Sequence, residues 1–262
     1  RENIFRAKCE LLPHIRKENG LLILNGDDAL LSTLRGRTPV PAVFCGSGEG
    51  LEYRAQSASS EGLDSLRSRL TTPAMDREVC IPALGSHMIY PTLIAAAVGE
   101  HFGLTADEIE QGIARFVPTR MRMNLVQRGN GITILDDTYN ANPQSVTAAL
   151  EILAKTECGR KVAVLGDMGE LGELTEQAHY NMGALAVMLG IDYVVAIGHK
   201  AAKIAQGVEE SGGAGAHFLT REEAMESILS QLEPDTAMLV KASHVMRFEE
   251  IVTKIKQQSD ME

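Results

Sequence analysis

The feature that most constrains the fold is a regular alternation of strand-like and helix-like segments that begins after Pro118. Short apolar runs predict strands at residues 132–135, 161–165, 193–197 and 237–240. Amphipathic stretches predict helices at residues 143–155, 175–189, 200–210, 221–231 and 245–256. Strands about 30 residues apart with a helix between them form βαβ units. We therefore predict an α/β fold in which residues 118–262 form a Rossmann-like, doubly wound parallel sheet.

Residues 1–117 have a less regular pattern and predict a separate α/β domain. Short alternating stretches within residues 51–84 indicate antiparallel strand pairs. The remaining predicted elements are a helix at about 3–17, strands at 21–24 and 39–44, a buried Ala-rich helix at 87–101 and a helix that starts after Thr105. Because a domain averages about 150 residues, the length fits two domains, 1–117 and 118–262.

Charge, hydropathy and cysteine content exclude several classes of protein. The net charge of −10 comes without a basic block, so nucleic-acid binding through phosphate contacts is not expected. The apolar runs are shorter than the ~20 residues of a membrane span. Four widely spaced cysteines indicate reduced thiols, and no signal peptide is visible, so we expect a cytoplasmic protein. Because the chain begins in an uncapped helix without Met, we expect it to be part of a longer protein.

Polar and small residues follow four of the predicted parallel strands. In such sheets, ligands bind beyond the carboxyl ends of the strands. We therefore predict a binding or catalytic site at this rim of the sheet. The segments concerned are Asp136-Asp-Thr-Tyr-Asn140, Gly166-Asp-Met-Gly-Glu170, Gly198-His-Lys200 and Lys241-Ala-Ser243.

The segment around Asp137 is the most informative of these. Asp137 could accept hydrogen bonds from ribose hydroxyls or hold a metal, and Asn140 or Asn142 could contact a base edge. The alternative is an Asx-rich turn that caps the next helix. Arg122 could bind a phosphate or an acyl phosphate in bidentate fashion, or it could be a solvated charge on a strand.

The other rim segments give weaker signals. The glycine-rich segment 165–172 is a poor phosphate loop, because no lysine follows it and it contains Asp167 and Glu170. His179 could be a base or a histidine with both ring nitrogens satisfied on a helix. Lys241 and Ser243 end the last strand, where a buried lysine favours a functional role. The sequence has no G-x-x-x-x-G-K-[ST], H-E-x-x-H or G-x-S-x-G motif.

These residues together resemble the Mur ligase family over essentially the whole chain. The most specific match is Asp137-Thr-Tyr-Asn-Ala-Asn-Pro143. Further matches are Leu165-Gly-Asp-Met-Gly-Glu-Leu-Gly172 with His179, Arg120-Met-Arg-Met123, Val240-Lys-Ala-Ser243, Met246-Arg-Phe-Glu-Glu250, Arg6-Ala-Lys-Cys-Glu10 and Leu24-Asn-Gly-Asp-Asp28. The resemblance implies the later part of a central ATPase domain for residues 1–117 and a ligase domain for residues 118–262.

The resemblance also implies an activity. We expect an ATP- and Mg²⁺-dependent amide ligase of peptidoglycan precursor synthesis, monomeric when intact, that joins D-Ala-D-Ala to UDP-MurNAc-tripeptide through an acyl phosphate. Implied catalytic residues are Lys8, Arg122 and Lys241, with Lys8 a metal ligand if carbamylated. Implied ATP contacts are Asp137, Asn140, Asn142, Arg122 and His87. Implied substrate contacts are Ser243, Asp167, Glu170 and His179.

Some positions depart from the family pattern. Met88 and Pro91 stand where relatives often carry Asn, and Lys241-Ala-Ser-His244 replaces the commoner Lys-Gly-Ser-Arg. Because the sequence has no P-loop motif, we expect the chain alone to be catalytically inactive. Two alternatives stay open: a related Mur-type ligase with another amine substrate, and a non-catalytic module that binds a nucleotide or a partner.

Overall fold

The computed structural model describes residues 2–61, 65–128 and 131–259. It divides into two compact units, Arg1–Val117 and Pro118–Glu262. Each unit has its own sheet and its own buried core. Within the described ranges, no helix is both long and apolar enough to cross a membrane.

The first unit is a five-stranded mixed sheet in the order β1-β2-β3-β4-β5. Its strands are β1 (Leu22–Asn25), β2 (Ala42–Gly46), β3 (Tyr53–Glu61), β4 (Ser65–Thr71) and β5 (Asp76–Ile81). Its helices are α1 (Glu2–Cys9), α2 (Ala29–Ser32), α3 (Ile89–His101) and α4 (Ala106–Ala114). Strands β1 to β3 are parallel, and β3 to β5 are antiparallel. The antiparallel pairs predicted within residues 51–84 are therefore confirmed.

Two features of this unit follow from local chemistry. The Ala-rich helix α3 packs on the sheet, with Leu93, Ala96 and Ala97 buried in the core. The predicted helix at 3–17 is wrong in extent, because α1 ends at Cys9 and a separate 3-10 turn covers Leu12–His14. Pro13 explains the break, since it has no backbone N–H to continue an α-helix.

The second unit is a six-stranded sheet in the order β10-β9-β8-β11-β7-β6. Its strands are β6 (Asn124–Gln127), β7 (Thr133–Asp136), β8 (Arg160–Gly166), β9 (Tyr193–Ile197), β10 (Gly215–Phe218) and β11 (Thr236–Lys241). Its helices are α5 (Pro143–Lys155), α6 (Thr175–Met188), α7 (Ala202–Glu210), α8 (Arg221–Ser230) and α9 (Glu249–Ser259). Only the β6–β7 pairing is antiparallel within this sheet.

Helices cover both faces of this sheet, as a doubly wound fold requires. Adjacent strand residues such as Ile134 and Leu135 are both fully buried, although they point to opposite faces. Helices α8 and α9 contribute Ile228 and Ile251 to the cluster on one face. The crossover through α8 runs along the sheet from β10 to β11. The crossovers through α5, α6 and α7 run in the opposite direction, so these three helices lie on the other face of the sheet.

Strands β6 and β10 are additions to the predicted set. Both are short strands at the edges of the sheet, and neither has a fully buried residue, so their apolar signal is weak. The helix predicted at 245–256 begins later, at Glu249. A 3-10 turn at His244–Met246 and a left-handed Arg247 (φ 51°) precede it.

The strand order places a crevice at one point of the rim. From β8 the chain runs outward through β9 to β10, and then β11 returns to lie on the other side of β8. The helix that follows β8, α6, and the helix that follows β11, α9, therefore lie on opposite faces of the sheet. This reversal is the position at which open α/β sheets bind ligands.

Candidate functional site

Two hydrogen bonds join the chain segments that leave β8 and β11. The Ser243 N–H donates to the Asp167 carbonyl oxygen (3.1 Å), and the Gly169 N–H donates to the Ser243 Oγ (2.9 Å). The ends of the two strands also approach closely, since a Cβ on Gly166 would lie 2.6 Å from the Ala242 Cβ and from the Phe248 ring. Ser243 thus lies between the segments that leave β8 and β11, and its substrate role stays a prediction.

Asp167 and Glu170 have different environments in the loop after β8. The Asp167 Oδ1 accepts a hydrogen bond from the Ala201 N–H (2.8 Å), just before α7. Asp167 also contacts Gly198, whose φ of 117° suits glycine, and a Cβ on Gly198 would clash with the Asp167 carboxylate. Glu170 is exposed with a left-handed backbone (φ 60°). Asp167 therefore anchors the loop after β9, whereas Glu170 faces solvent.

His179 lies beneath this loop and does not reach the crevice. Its side chain is fully buried, and its Nε2 accepts a hydrogen bond from the Met168 N–H (2.9 Å). The Nδ1 lies 2.6 Å from the Thr175 carbonyl oxygen and must carry the proton. Burial lowers the pKa of His179, which fits a neutral ring. The position of His179 does not support the predicted substrate contact, because Nε2 binds the loop at Met168 and Nδ1 binds the first residue of α6.

Asp137 follows β7 and is held from three directions. Its N–H donates to the Val240 carbonyl oxygen (3.1 Å), and its Oδ1 accepts from the Met123 N–H (3.1 Å). Its Oδ2 accepts from the Lys241 Nζ at 2.5 Å. Asp137 thus joins β7, β11 and the segment before β6, and it lies at the rim where the sequence predicts it.

Lys241 is buried at the end of β11, as the sequence predicts. Only 2% of the residue is exposed, and its Nζ donates to Asp137 and to the Asn140 carbonyl oxygen (2.7 Å). Burial lowers the pKa of Lys241 and nearby Arg122 adds to that effect, whereas Asp137 opposes it. Lys241 therefore binds the loop after β7, and its implied catalytic role stays a prediction.

The two asparagines of the same loop take part in local turns. The Asn140 Oδ1 accepts from the Ala141 N–H (2.8 Å), and the side chain is exposed. The Asn142 Oδ1 accepts from the Ser145 N–H (2.9 Å) and forms a capping box at the start of α5. Both amide oxygens therefore accept local backbone hydrogen bonds, as the alternative of an Asx-rich turn that caps the next helix predicts. The contact of Asn142 with a base edge is not supported.

An exposed stack of side chains covers the outside of this loop. The Arg122 guanidinium lies 4.1 Å from the centre of the Tyr139 ring, a distance typical of cation–π pairs. The Tyr139 ring lies 5.5 Å from the His244 ring. Tyr139 and His244 were not predicted as site residues. The signal for Tyr139 was an aromatic residue two positions after a strand-end carboxylate pair.

The first unit holds two predicted residues and one cluster that the sequence did not indicate. Lys8 is exposed on α1, and His87 is exposed in the 3-10 turn before α3. In the cluster, Asp27 accepts hydrogen bonds from the Ser47 N–H (2.7 Å), the Ser47 hydroxyl (2.8 Å), the Gly48 N–H (3.0 Å) and the Tyr90 hydroxyl (3.0 Å). Burial opposes ionisation, but these bonds outweigh it and lower the pKa of Asp27. A carboxylate after β1 and the glycine-rich segment after β2 were the available signals.

Comparison with known proteins agrees with the two-part organisation. Residues 1–99 match the Mur ligase middle domain, and residues 121–244 match the Mur ligase, glutamate ligase domain. The chain is 32% identical over 262 residues to the UDP-N-acetylmuramoyl-tripeptide–D-alanyl-D-alanine ligase of Bacillus subtilis (strain 168), which covers 96% of this chain and 54% of that protein. It is 34% identical over 261 residues to the ligase of the same name from Escherichia coli (strain K12), covering 97% and 56%.

A solved structure extends this similarity to the fold. A crystal structure of MurF from Acinetobacter baumannii is 27% identical, with a TM-score of 0.87, and the match covers 98% of this chain and 55% of that one. The fold and rim define an α/β protein with a Rossmann-like ligand-binding domain. With both of its domains matched, the chain belongs to the Mur ligase family. It spans about half the length of the curated relatives it matches.

Proposed function

We propose that this chain supplies the rim site of an ATP-dependent amide ligase of peptidoglycan precursor synthesis. The reaction joins D-Ala-D-Ala to UDP-MurNAc-tripeptide. In support, the relatives from Bacillus subtilis and Escherichia coli are named as ligases of this type. We also propose that the protein acts in the cytoplasm as a monomer.

The observation that carries this proposal is the proximity of two kinds of surface at one rim. The Asp137–Asn140 loop and Arg122 form a polar surface beside β7, and Ser243 with Gly169 forms the crevice wall between β8 and β11. Lys241 is the last residue of β11 and contacts the loop, so the two surfaces are neighbours. A reaction between an activated carboxylate and an amine requires such neighbouring sites, because rate is gained by holding both reactants together.

The proposed roles of the residues follow from their exposure and charge. In the first step the tripeptide carboxylate takes the γ-phosphoryl group of ATP and ADP leaves. In the second step the dipeptide amine attacks the acyl carbon, phosphate leaves and the nitrogen loses a proton. Arg122 is placed to neutralise phosphate charge. Asp137 and Asn140 contact the nucleotide, whereas Ser243, Asp167 and Glu170 lie on the dipeptide side.

Magnesium binding by Lys8 stays a proposal. Lys8 is exposed on α1, and the described part of the chain holds no group of three His, Cys, Asp or Glu side chains that could bind a metal. A carbamylated Lys8 would supply one carboxylate-like ligand, and Mg²⁺ in such sites is bound by one or two carboxylates together with substrate phosphates and waters. No step of the proposed reaction is therefore assigned to a metal on this chain.

The test titrates the isotope-labelled chain with ADP and, separately, with D-Ala-D-Ala, and monitors its backbone amides by NMR. We expect ADP to shift the amides of the Asp137–Asn140 loop, and D-Ala-D-Ala to shift those of Gly169 and Ser243. L-Ala-L-Ala is the matched control and should leave the crevice amides unchanged. Shifts that do not saturate, or that spread over the surface away from the rim, would contradict the proposal.

A phosphate-release assay separates the remaining alternatives. With ATP, Mg²⁺, UDP-MurNAc-tripeptide and D-Ala-D-Ala we expect no turnover by these 262 residues, because their sequence lacks a P-loop motif. Dipeptide-dependent release would contradict that expectation and support the ligase chemistry directly. Binding of ADP without binding of any amine would favour a nucleotide-binding module, whereas release driven by a different amine would favour a related ligase.

A further inference from the structure

Lys241 connects two parts of the rim that are distant in sequence. It is the last residue of β11, and its Nζ contacts two groups of one loop, the Asp137 carboxylate and the Asn140 carbonyl oxygen. Only 2% of Lys241 is exposed, so its ammonium group is removed from solvent. A buried ammonium group is tolerated only when it is paired and hydrogen-bonded. The position of this loop is therefore coupled to the position of β11.

The contacts continue from Asp137 to the segment that carries Arg122. The other carboxylate oxygen of Asp137 accepts from the Met123 N–H, and the Tyr139 N–H donates to the Met121 carbonyl oxygen (3.0 Å). Met121 and Met123 have left-handed backbones, with φ of 64° and 48°. Residues other than glycine adopt this conformation at a cost, so external contacts must hold the segment in place.

We propose that Lys241 is a positioning residue that holds Asp137, Tyr139 and Arg122 in the arrangement that receives the nucleotide. It acts through the Asp137 carboxylate and the Asn140 carbonyl oxygen and does not touch substrate. The identity of the ligand rests on the function proposed above. The chain of contacts Lys241–Asp137–Met123 is observed independently of that function, so the two can be tested separately.

The test compares Lys241→Met with the matched control Lys161→Met. Lys161 is also a strand lysine, and its Nζ donates to a backbone carbonyl oxygen, that of Ala154, at the opposite end of β8. Hydrogen exchange is measured for the Met123 and Tyr139 amides, with the Ala163 amide in β8 as the internal reference. ADP affinity is measured for the same proteins at a temperature at which all are folded.

For Lys241→Met we expect exchange at Met123 and Tyr139 to accelerate about tenfold relative to Ala163, because one buried charge-assisted contact is lost. ADP affinity should fall by a similar factor, about tenfold. Lys161→Met should leave both the ADP affinity and the exchange rates at Met123 and Tyr139 relative to Ala163 unchanged, even if it lowers global stability. A purely structural role would accelerate all three amides together.

Each remaining outcome decides the matter. Unchanged relative exchange at Met123 and Tyr139 in Lys241→Met, or unchanged ADP affinity, would overturn the positioning role. If the unsubstituted chain does not bind ADP, the proposed nucleotide site fails, and the exchange ratios alone decide whether Lys241 holds the loop. If Lys241→Met does not fold, Asp137→Asn breaks the same ion pair from its more exposed partner and should accelerate the same two amides.

Discussion

At the rim of the second unit, each polar side chain either bonds inside the protein or remains open to solvent. His179 and Lys241 are buried, and their nitrogen atoms contact backbone or carboxylate groups. Arg122 is exposed and stacks on Tyr139. The buried pair therefore determines the shape of the rim, and the exposed pair is available to a ligand.

The buried ring of His179 predicts a specific dependence of stability on pH. Its pKa is lowered in the folded state, so the unfolded chain binds the proton more readily. Its contribution is therefore fully present above the unfolded pKa of about 6.5 and is lost as the pH falls from there towards the folded pKa. Urea unfolding at several pH values measures this. His179→Leu should remove that part of the pH dependence, and the exposed-residue control His101→Gln should retain it.

An unaltered pH profile in His179→Leu would show that the ring does not titrate on unfolding as expected. The same variant should lose about 1–3 kcal/mol of stability at pH 7, because the Met168 N–H is left without its acceptor.

Arg122 predicts a change in ligand affinity without a change in stability. Arg122→Gln should weaken ADP binding about tenfold, because a charge-assisted contact to phosphate is lost. Arg122→Lys should bind ADP with an affinity between those of the unsubstituted chain and Arg122→Gln, since lysine keeps the charge but loses the planar stacking on Tyr139. Isothermal titration gives the affinities. The control is Arg247→Gln, which removes an exposed arginine paired with Glu250. Equal losses in Arg122→Gln and Arg247→Gln would indicate a general charge effect.

Among the helices, α6 and α7 approach so closely that glycine is needed at their crossing. A Cβ on Gly183 would clash with the Ile204 carbonyl oxygen, and one on Gly207 would clash with the Tyr180 carbonyl oxygen. The obstacles are backbone atoms, which cannot move aside as a side chain would. This crossing fixes two of the three helices that cover one face of the parallel sheet.

At the scale of the helices, we predict that Gly→Ala substitutions change the free energy of unfolding in opposite directions at different glycines. Gly183→Ala and Gly207→Ala should each destabilise the protein by about 1–3 kcal/mol through overpacking. Gly112→Ala in α4 should stabilise it by up to about 1 kcal/mol, because a Cβ there would meet no atom within 4 Å. Urea unfolding gives the three values. A loss of stability in Gly112→Ala as large as in the other two would contradict this account of the crossing.

The sequence predicted those elements whose patterns are strong locally. Buried parallel strands such as β8 and β11 are continuous apolar runs, and the Thr105 capping box marks the start of α4. The edge strands β6 and β10 have no comparable pattern. The direction in which Lys241 points was also beyond prediction, because its partner Asp137 is 104 residues away in the chain. Pairings between distant residues depend on strand order, which local patterns do not specify.

On the scale of the whole molecule, every residue of the proposed rim site lies within the unit Pro118–Glu262. That unit has its own core, including Ile134, Val162 and Phe248. We therefore expect residues 118–262, produced alone, to unfold in one cooperative transition and to give the same ADP-dependent NMR shifts as the full chain. Circular dichroism on heating tests the first expectation. A gradual, non-cooperative loss of signal would show that the core of this unit is insufficient.

The return of β11 to the interior of the sheet has a consequence for synthesis of the protein on the ribosome. Of the strands that the structure describes, β11 comes last in sequence, yet it lies between β8 and β7, to which it is parallel. Until residues 236–241 have emerged, β8 and β7 both lack a neighbour on that side. Contacts between distant segments also form slowly. The nascent chain therefore carries two apolar strands that are each unpaired along one edge, which are sites for association with other chains, and the rim site forms only after residues 236–243 have emerged.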